Sequence, residues 1–160
     1  MNYLKLLLIA SSISLSGCVA PYVPPSGIPM STVNVINRMG TTAATYLYEG
    51  AQACTERRGV GKIEPWGTKL VEVAADKRLA FLYVNTTKVV GYPVPMAVYP
   101  CMFTLDFVPQ PGRTYTLRVE QDAGLNSCIY SLTEGGKQVL HKERIFIAAH
   151  TEAGPFCPAD

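Results

Sequence analysis

The chain has 160 residues, 48% of them hydrophobic, with 14 Lys and Arg against 12 Asp and Glu. That length suits one domain with a sizeable core. The formal charge of +2 is scattered: the longest basic cluster is Arg57-Arg58 with Lys62 nearby, so neither a nucleic-acid surface built on phosphate neutralisation nor a polybasic membrane patch is encoded.

At the start, Lys5 precedes the apolar run Leu6-Leu7-Leu8-Ile9-Ala10, and Leu15-Ser16-Gly17-Cys18 follows. The apolar stretch is far short of the roughly 20 residues a spanning helix needs, which makes it a leader rather than an anchor. This pattern resembles the lipobox of bacterial lipoproteins. The resemblance implies that residues 1–17 are a signal peptide, that Cys18 becomes the acylated N-terminus, and that membrane lipid is its first partner. Two or more acyl chains, each adding about 0.8 kcal/mol per buried methylene, convert marginal contact into stable anchoring. Val19 stands where such lipoproteins carry Asp for inner-membrane retention, which points to the outer membrane, facing the periplasm. Removing residues 1–17 takes only Lys5 from the 14 basic residues, leaving 13 against 12 acidic.

Residues 18–30 contain Pro21, Pro24, Pro25 and Pro29 with Ser26 and Gly27, a composition that favours extended, solvated backbone. They are expected to form a tether. At about 3.1 Å per residue it would lift the domain some tens of ångströms from the bilayer. The folded part then runs over 31–160.

Within it the dominant signal is alternation. Tyr46 and its neighbours over 45–48, then 69–73 and 79–84, are β-rich runs separated by turn residues. Cys101, Phe103, Leu105 and Phe107 alternate with Thr104 and Asp106, and Tyr115, Leu117 and Val119 alternate with Thr116, Arg118 and Glu120. Turn chemistry at Val108-Pro109-Gln110-Pro111-Gly112 joins these two runs, so the pattern predicts a hairpin with Phe107 opposite Tyr115. A third strand is expected over 128–132, and further short ones over 139–141 and 144–148. No segment carries a helical stripe over three turns, although Ala43-Ala44 and Ala51–Ala53 leave room for a short turn. The predicted fold is all-β: a small antiparallel sandwich or partly open barrel of about seven to eight strands.

Four cysteines follow Cys18, namely Cys54, Cys101, Cys128 and Cys157, and an even number in an exported chain implies two disulfides. Three pairings are open. In the predicted meander Cys101 and Cys128 both lie level with Gln121. Flat next-but-one strands cannot bring their alpha carbons within the required 7 Å or so, but a sheet that curls or folds over into a second layer would let the two sulfurs meet, which would leave Cys54 with Cys157. No Cys-x-x-Cys spacing is present, and His141 and His150 are distant in sequence from all but Cys157, so no metal or other cofactor is expected.

For catalysis, His141, His150 and Asp122 are available, yet no Gly-x-Ser-x-Gly elbow appears and bridged cysteines supply no thiolate. Asp106, Glu120 and Glu134 are expected on solvated strand faces rather than as paired catalytic acids. No enzyme is predicted. Two segments stand out as candidate partner-binding surfaces. One is the stiff, apolar loop 91–100 with Tyr92, Pro93, Pro95, Met96 and Tyr99, whose prolines bar it from a central strand. The other is the polar stretch 54–62 with Arg57 and Arg58, expected as a loop, leading to the sole tryptophan, Trp66, which is expected to pack in core or loop or else to anchor a partner.

Cys54 after a Tyr/Leu strand, Cys101 before Phe107-x-Pro109-x-x-Gly112-x-x-Tyr115, and Cys128 after a glycine turn together resemble a set of small proteobacterial envelope lipoproteins. The likeness spans Tyr46 to Leu132 and implies a disulfide-stapled β framework. The expected function is that of a non-enzymatic envelope lipoprotein that docks on an envelope protein. The alternative is a periplasmic inhibitor or ligand-capturing domain that uses loop 91–100.

Overall fold

A computed structural model describes residues 19–89, 96–122, 128–148 and 153–159, with backbone alone at 86–89 and 96–100. The described residues contain no helix. Their strands are β1 (Met30–Arg38), β2 (Ala43–Gly50), β3 (Thr55–Ile63), β4 (Thr68–Ala74), β5 (Leu79–Val89), β6 (Met96–Phe107), β7 (Thr114–Gln121), β8 (Cys128–Glu134), β9 (Lys137–Gln138) and β10 (Lys142–Arg144). They form two five-stranded sheets: sheet I in the order β4-β1-β7-β8-β9 and sheet II in the order β10-β6-β5-β2-β3. The fold is a β-sandwich, as the alternation predicts, and not a closed barrel.

The main core lies between the sheets and is built from the alternating positions. Val33 and Val35 of β1, Val71 and Val73 of β4, Leu117 and Val119 of β7 and Leu132 of β8 face Leu47, Phe81, Tyr83, Phe103, Leu105 and Phe107 of sheet II. Aromatic contacts bind the layers: Tyr130 stacks on Phe103 with centroids 4.0 Å apart, and Phe107 meets Tyr115 edge-on at 5.2 Å.

The predicted hairpin of 101–107 with 115–120 does not form, because β6 belongs to sheet II and β7 to sheet I. Residues 108–113 cross between the layers, and Phe107 faces Tyr115 through the core instead of beside it. An apolar face satisfies alternation whether its partner lies alongside or opposite, so the pattern alone does not choose. β7 pairs instead with β1 in parallel, Val33 against Tyr115 and Val35 against Leu117, so the sandwich is not wholly antiparallel. The predicted partner 128–132 is correct: β8 pairs with β7, Gln121 opposite Cys128.

Crossing layers also decides the disulfides. Cys101 on sheet II and Cys128 on sheet I face one another with alpha carbons 5.3 Å apart and are bridged. Cys54 is bridged to Cys157, also at 5.3 Å.

Other differences arise where sequence signals were weak. The polar stretch 54–62 is strand β3, an edge strand whose Gly59 and Gly61 hide its β character and accompany a bulge opposite Thr45 and Tyr46. Ala43 and Ala44 lie in β2, while 51–54 turn. Residues 139–141 and 145–148 are not strands; the short β9 and β10 stand beside them. Segment 96–100, expected as loop, is the start of β6, paired with β5 through Val98 opposite Thr87 and Met96 opposite Val89. Pro100 sits at the register shift in this pairing, where its missing N–H removes no regular ladder bond.

Buried Asn37 closes one end of the sandwich. Its Nδ2 donates to the carbonyls of Thr41 at 2.9 Å, Glu64 at 3.1 Å and Ile63 at 3.3 Å, while its Oδ1 accepts from Met39 N at 3.0 Å and the Tyr83 hydroxyl at 2.8 Å. One amide therefore fixes the turn after β1 and the end of β3. Tyr83→Phe removes one of these bonds without a cavity and is expected to lower unfolding stability by about 1 kcal/mol. An unchanged denaturation midpoint would show that this bond contributes nothing.

Burial also pushes the phenols of Tyr48 and Tyr83 up to about 12 and raises those of Tyr22 and Tyr130, with Glu143 adding to the effect at Tyr130. The fold holds these protons more tightly than the unfolded chain, whose phenols ionise near 10. The stabilisation is therefore complete below pH 10 and is lost as pH rises toward 12. An absorbance titration should show a late tyrosine group that ionises as tertiary circular dichroism disappears. A single step near pH 10 with the fold intact would contradict it.

Candidate functional site

The candidate residues do not converge on one site. Tyr92, Pro93 and Pro95 lie outside the described residues, as does His150. Met96 and Tyr99 lie on the β6 backbone, in an arm formed by 86–89 and 96–100 that extends past Asn85, the last β5 residue paired with β2. This arm leaves the same end of the sandwich as the turn at 64–67. Trp66 occupies that turn at a positive φ of 61°, 63% exposed, so it is not a core residue. A β-carbon on Gly67 would stand 2.9 Å from the Glu64 carbonyl oxygen, so this tight turn excludes a side chain there and holds the indole outward.

Arg57 and Arg58 sit midway along β3. The Arg57 guanidinium lies over two rings, 5.0 Å from the centroid of Tyr46 and 4.7 Å from that of Phe156. Arg58 pairs with Glu49 in a fork, Nε to Oε1 at 2.7 Å and Nη2 to Oε2 at 3.0 Å, and holds that carboxyl below its usual range. Both arginines thus make contacts within the domain.

The outer face of sheet II carries what the sequence did not reveal. Cross-strand rows place Met102, Val84, Ala44 and Lys62 side by side, then Thr104, Leu82, Tyr46 and Gly59, then Asp106, Ala80, Tyr48 and Arg57. The C-terminal tail crosses the last of these rows. Phe146, Phe156 and Cys157 pack with Tyr48, Ala80 and Leu82 as a second small core. Asp106, expected on a solvated face, is buried there: Arg144 Nη1 reaches its Oδ2 at 2.9 Å and Arg78 Nε reaches both oxygens at 2.8 Å. Arg144 also donates to the carbonyls of Gln52, at 2.8 Å, and Pro158, fastening the tail.

The proline segment is not free along its length. Tyr22 N donates to Gly59 O and Gly59 N to Ala20 O, both at 2.8 Å, so 20–22 lie alongside β3. Tyr22 packs against the main core, whereas Val19 and Pro21 line a groove of about 480 Å³ with Ala44, Tyr46, Gly59 and Lys62. Farther on, Ala75 N donates to the Pro29 carbonyl. The segment expected as a tether is thus a strap held at both ends.

His141 hydrogen-bonds through Nδ1 to the Val139 carbonyl at 2.8 Å, and the neighbouring Tyr130 donates to Glu143 at 2.6 Å. Among the described residues no three His, Cys, Asp or Glu side chains are grouped to hold a metal ion, and no helix is long and apolar enough to cross a membrane. No family model and no curated protein matches the chain.

Proposed function

We propose that the chain is a non-enzymatic lipoprotein of the bacterial outer membrane, anchored through Cys18, whose sandwich docks on an envelope protein. The observation that carries this reading is the sequence Lys5, Leu6-Leu7-Leu8-Ile9-Ala10 and Leu15-Ser16-Gly17-Cys18. Two disulfides accord with an oxidising compartment. In this reading the docking surface is the end of the sandwich with Trp66 and the β5–β6 arm, because an outward indole on a rigid turn is the side-chain type that anchors interfaces.

A fatty-acid probe should label the mature protein and not Cys18→Ala, and mass spectrometry should find residues 1–17 removed. Photoreactive groups at Trp66 and Met96 should capture one dominant envelope protein. Absence of acylation removes the anchor, and absence of any adduct removes the docking role. The arm also favours a second reading, a periplasmic inhibitor or ligand-capturing module that inserts loop 91–100 into a partner's cleft. Tight one-to-one capture of a soluble protein, lost when 91–95 are replaced by a Gly-Ser linker, would select it.

A further inference from the structure

We infer that the edge of sheet II at β3, with the groove beside it and the strap 19–22, is the surface that lies against phospholipid, so that the domain rests on the bilayer instead of standing off it on a stalk. The inference deepens the lipoprotein reading and depends on it.

The geometry starts from the two backbone bonds that hold Ala20 and Tyr22 to Gly59. The acyl-bearing residue is bonded directly to Val19, and consecutive alpha carbons are about 3.8 Å apart. Val19 itself lines the groove next to β3. With the chain fixed to the sheet at Ala20, no free linker remains between the lipid and the folded domain. A lipid buried in the membrane therefore draws the groove to headgroup depth.

The chemistry of that surface fits the same partner. Val19, Pro21, Ala44 and Tyr46 give the groove apolar walls, Thr45 lines it as well, and Gly59 puts no side chain between the strap and the sheet. Lys62 supplies an ammonium at the rim. Such a combination matches a phospholipid, which presents glycerol and upper acyl carbons beneath a phosphate. The apolar lining continues across the sheet through half-buried Val84 to Met102, which is 38% exposed. The adjoining outer surface is covered by the chain's own tail. The outer face of sheet I also exposes apolar side chains, Leu70 at 68% and Ile129 at 54%, but sets them apart among Asn34, Thr116, Arg118, Glu120 and Ser131, and among the described residues no groove beside them is joined to the strap.

The test uses the full-length lipidated protein reconstituted in phosphatidylethanolamine–phosphatidylglycerol vesicles with brominated acyl chains. A fluorescent side chain is placed at Lys62 in one preparation and at Lys137 of β9, the far edge of sheet I, in another. Lys62 should be quenched severalfold more than Lys137. Gly59→Pro deletes the N–H that bonds to Ala20 while leaving the acyl group, and should abolish the difference; Tyr22→Ala, which removes the inward ring, should reduce it. Equal quenching at both sites in protein that mass spectrometry shows to be acylated would overturn the inference and leave the lipoprotein reading intact. Protein that carries no acyl group would overturn both.

Discussion

Asp106→Ala is expected to destabilise the domain by about 3–5 kcal/mol, the usual cost of taking one partner from a buried ion pair. The carboxylate is 5% exposed and the Arg144 side chain 3%, so the arginine that loses its acid has no ready access to water. Arg144 also ties β10 to the turn after β2 and to the tail at Pro158, so its displacement loosens the cover over Tyr48 and Leu82. Arg78→Ala is the internal control. Its side chain is 34% exposed, and exposed pairs contribute at most about 1 kcal/mol. Urea unfolding at constant slope measures both. A smaller midpoint shift for Asp106→Ala than for Arg78→Ala would contradict the assignment of Asp106 and Arg144 as the buried pair.

Removal of the Cys54–Cys157 bridge by paired serine substitution should cost more than removal of Cys101–Cys128. The first joins residues 103 apart and the second residues 27 apart, and loop-closure entropy gives about 4.7 kcal/mol for a loop near the first length against about 3.5 for one near the second. The ordering holds if the tail unfolds with the rest of the domain, as the shared packing of Phe156 with Tyr48 and Leu82 requires. Denaturant midpoints of the two double variants give the comparison. Equal losses, or a greater loss at Cys101–Cys128, would show that chain length does not govern either bridge. A protease that cuts 145–158 of the Cys54→Ser/Cys157→Ser variant before the domain unfolds would show that the tail melts alone.

Alternation made much of the sandwich legible. Phe103, Leu105 and Phe107, and Tyr115, Leu117 and Val119, lie inside as their spacing requires, and Cys128 stands opposite Gln121. What alternation does not contain is the identity of the neighbouring strand. The same inward residues serve a hairpin or two facing layers, and the six residues 108–113 reach across as easily as they turn back. β1 carries a weak strand signal, although Val33 and Val35 face the core, because Asn34 and Asn37 interrupt its β-branched run and Asn37 is itself buried by its hydrogen bonds.

At the candidate surfaces, sequence identified chemical types but not their settings. Trp66 was visible as an aromatic, while its outward position follows from a positive φ and the space that Gly67 leaves. Asp106 has the polar position of a solvated acid; only the tail, folded back from 38 residues beyond, makes it a buried one. The groove beside β3 gave no signal because Ala44, Gly59 and Gly61 define it by what their side chains lack. The strap escaped for a related reason, since a proline-rich composition records local stiffness and not the edge along which the chain is laid.

The nested arrangement of the bridges, Cys101–Cys128 enclosed within Cys54–Cys157, has a consequence for biogenesis. In the exported lipoprotein proposed above, whose Cys18 is acylated, a polypeptide threaded from its N-terminus delivers Cys54 and then Cys101 as its first free thiols, and an oxidant acting on thiols in order of arrival would couple these two. The native connectivity requires either that Cys54 wait until the last residues have been delivered or that a dithiol shuffling catalyst exchange the early mispaired crosslink. Secretory yield in a host deprived of such an isomerase should therefore fall far more than for a chain whose neighbouring cysteines pair consecutively.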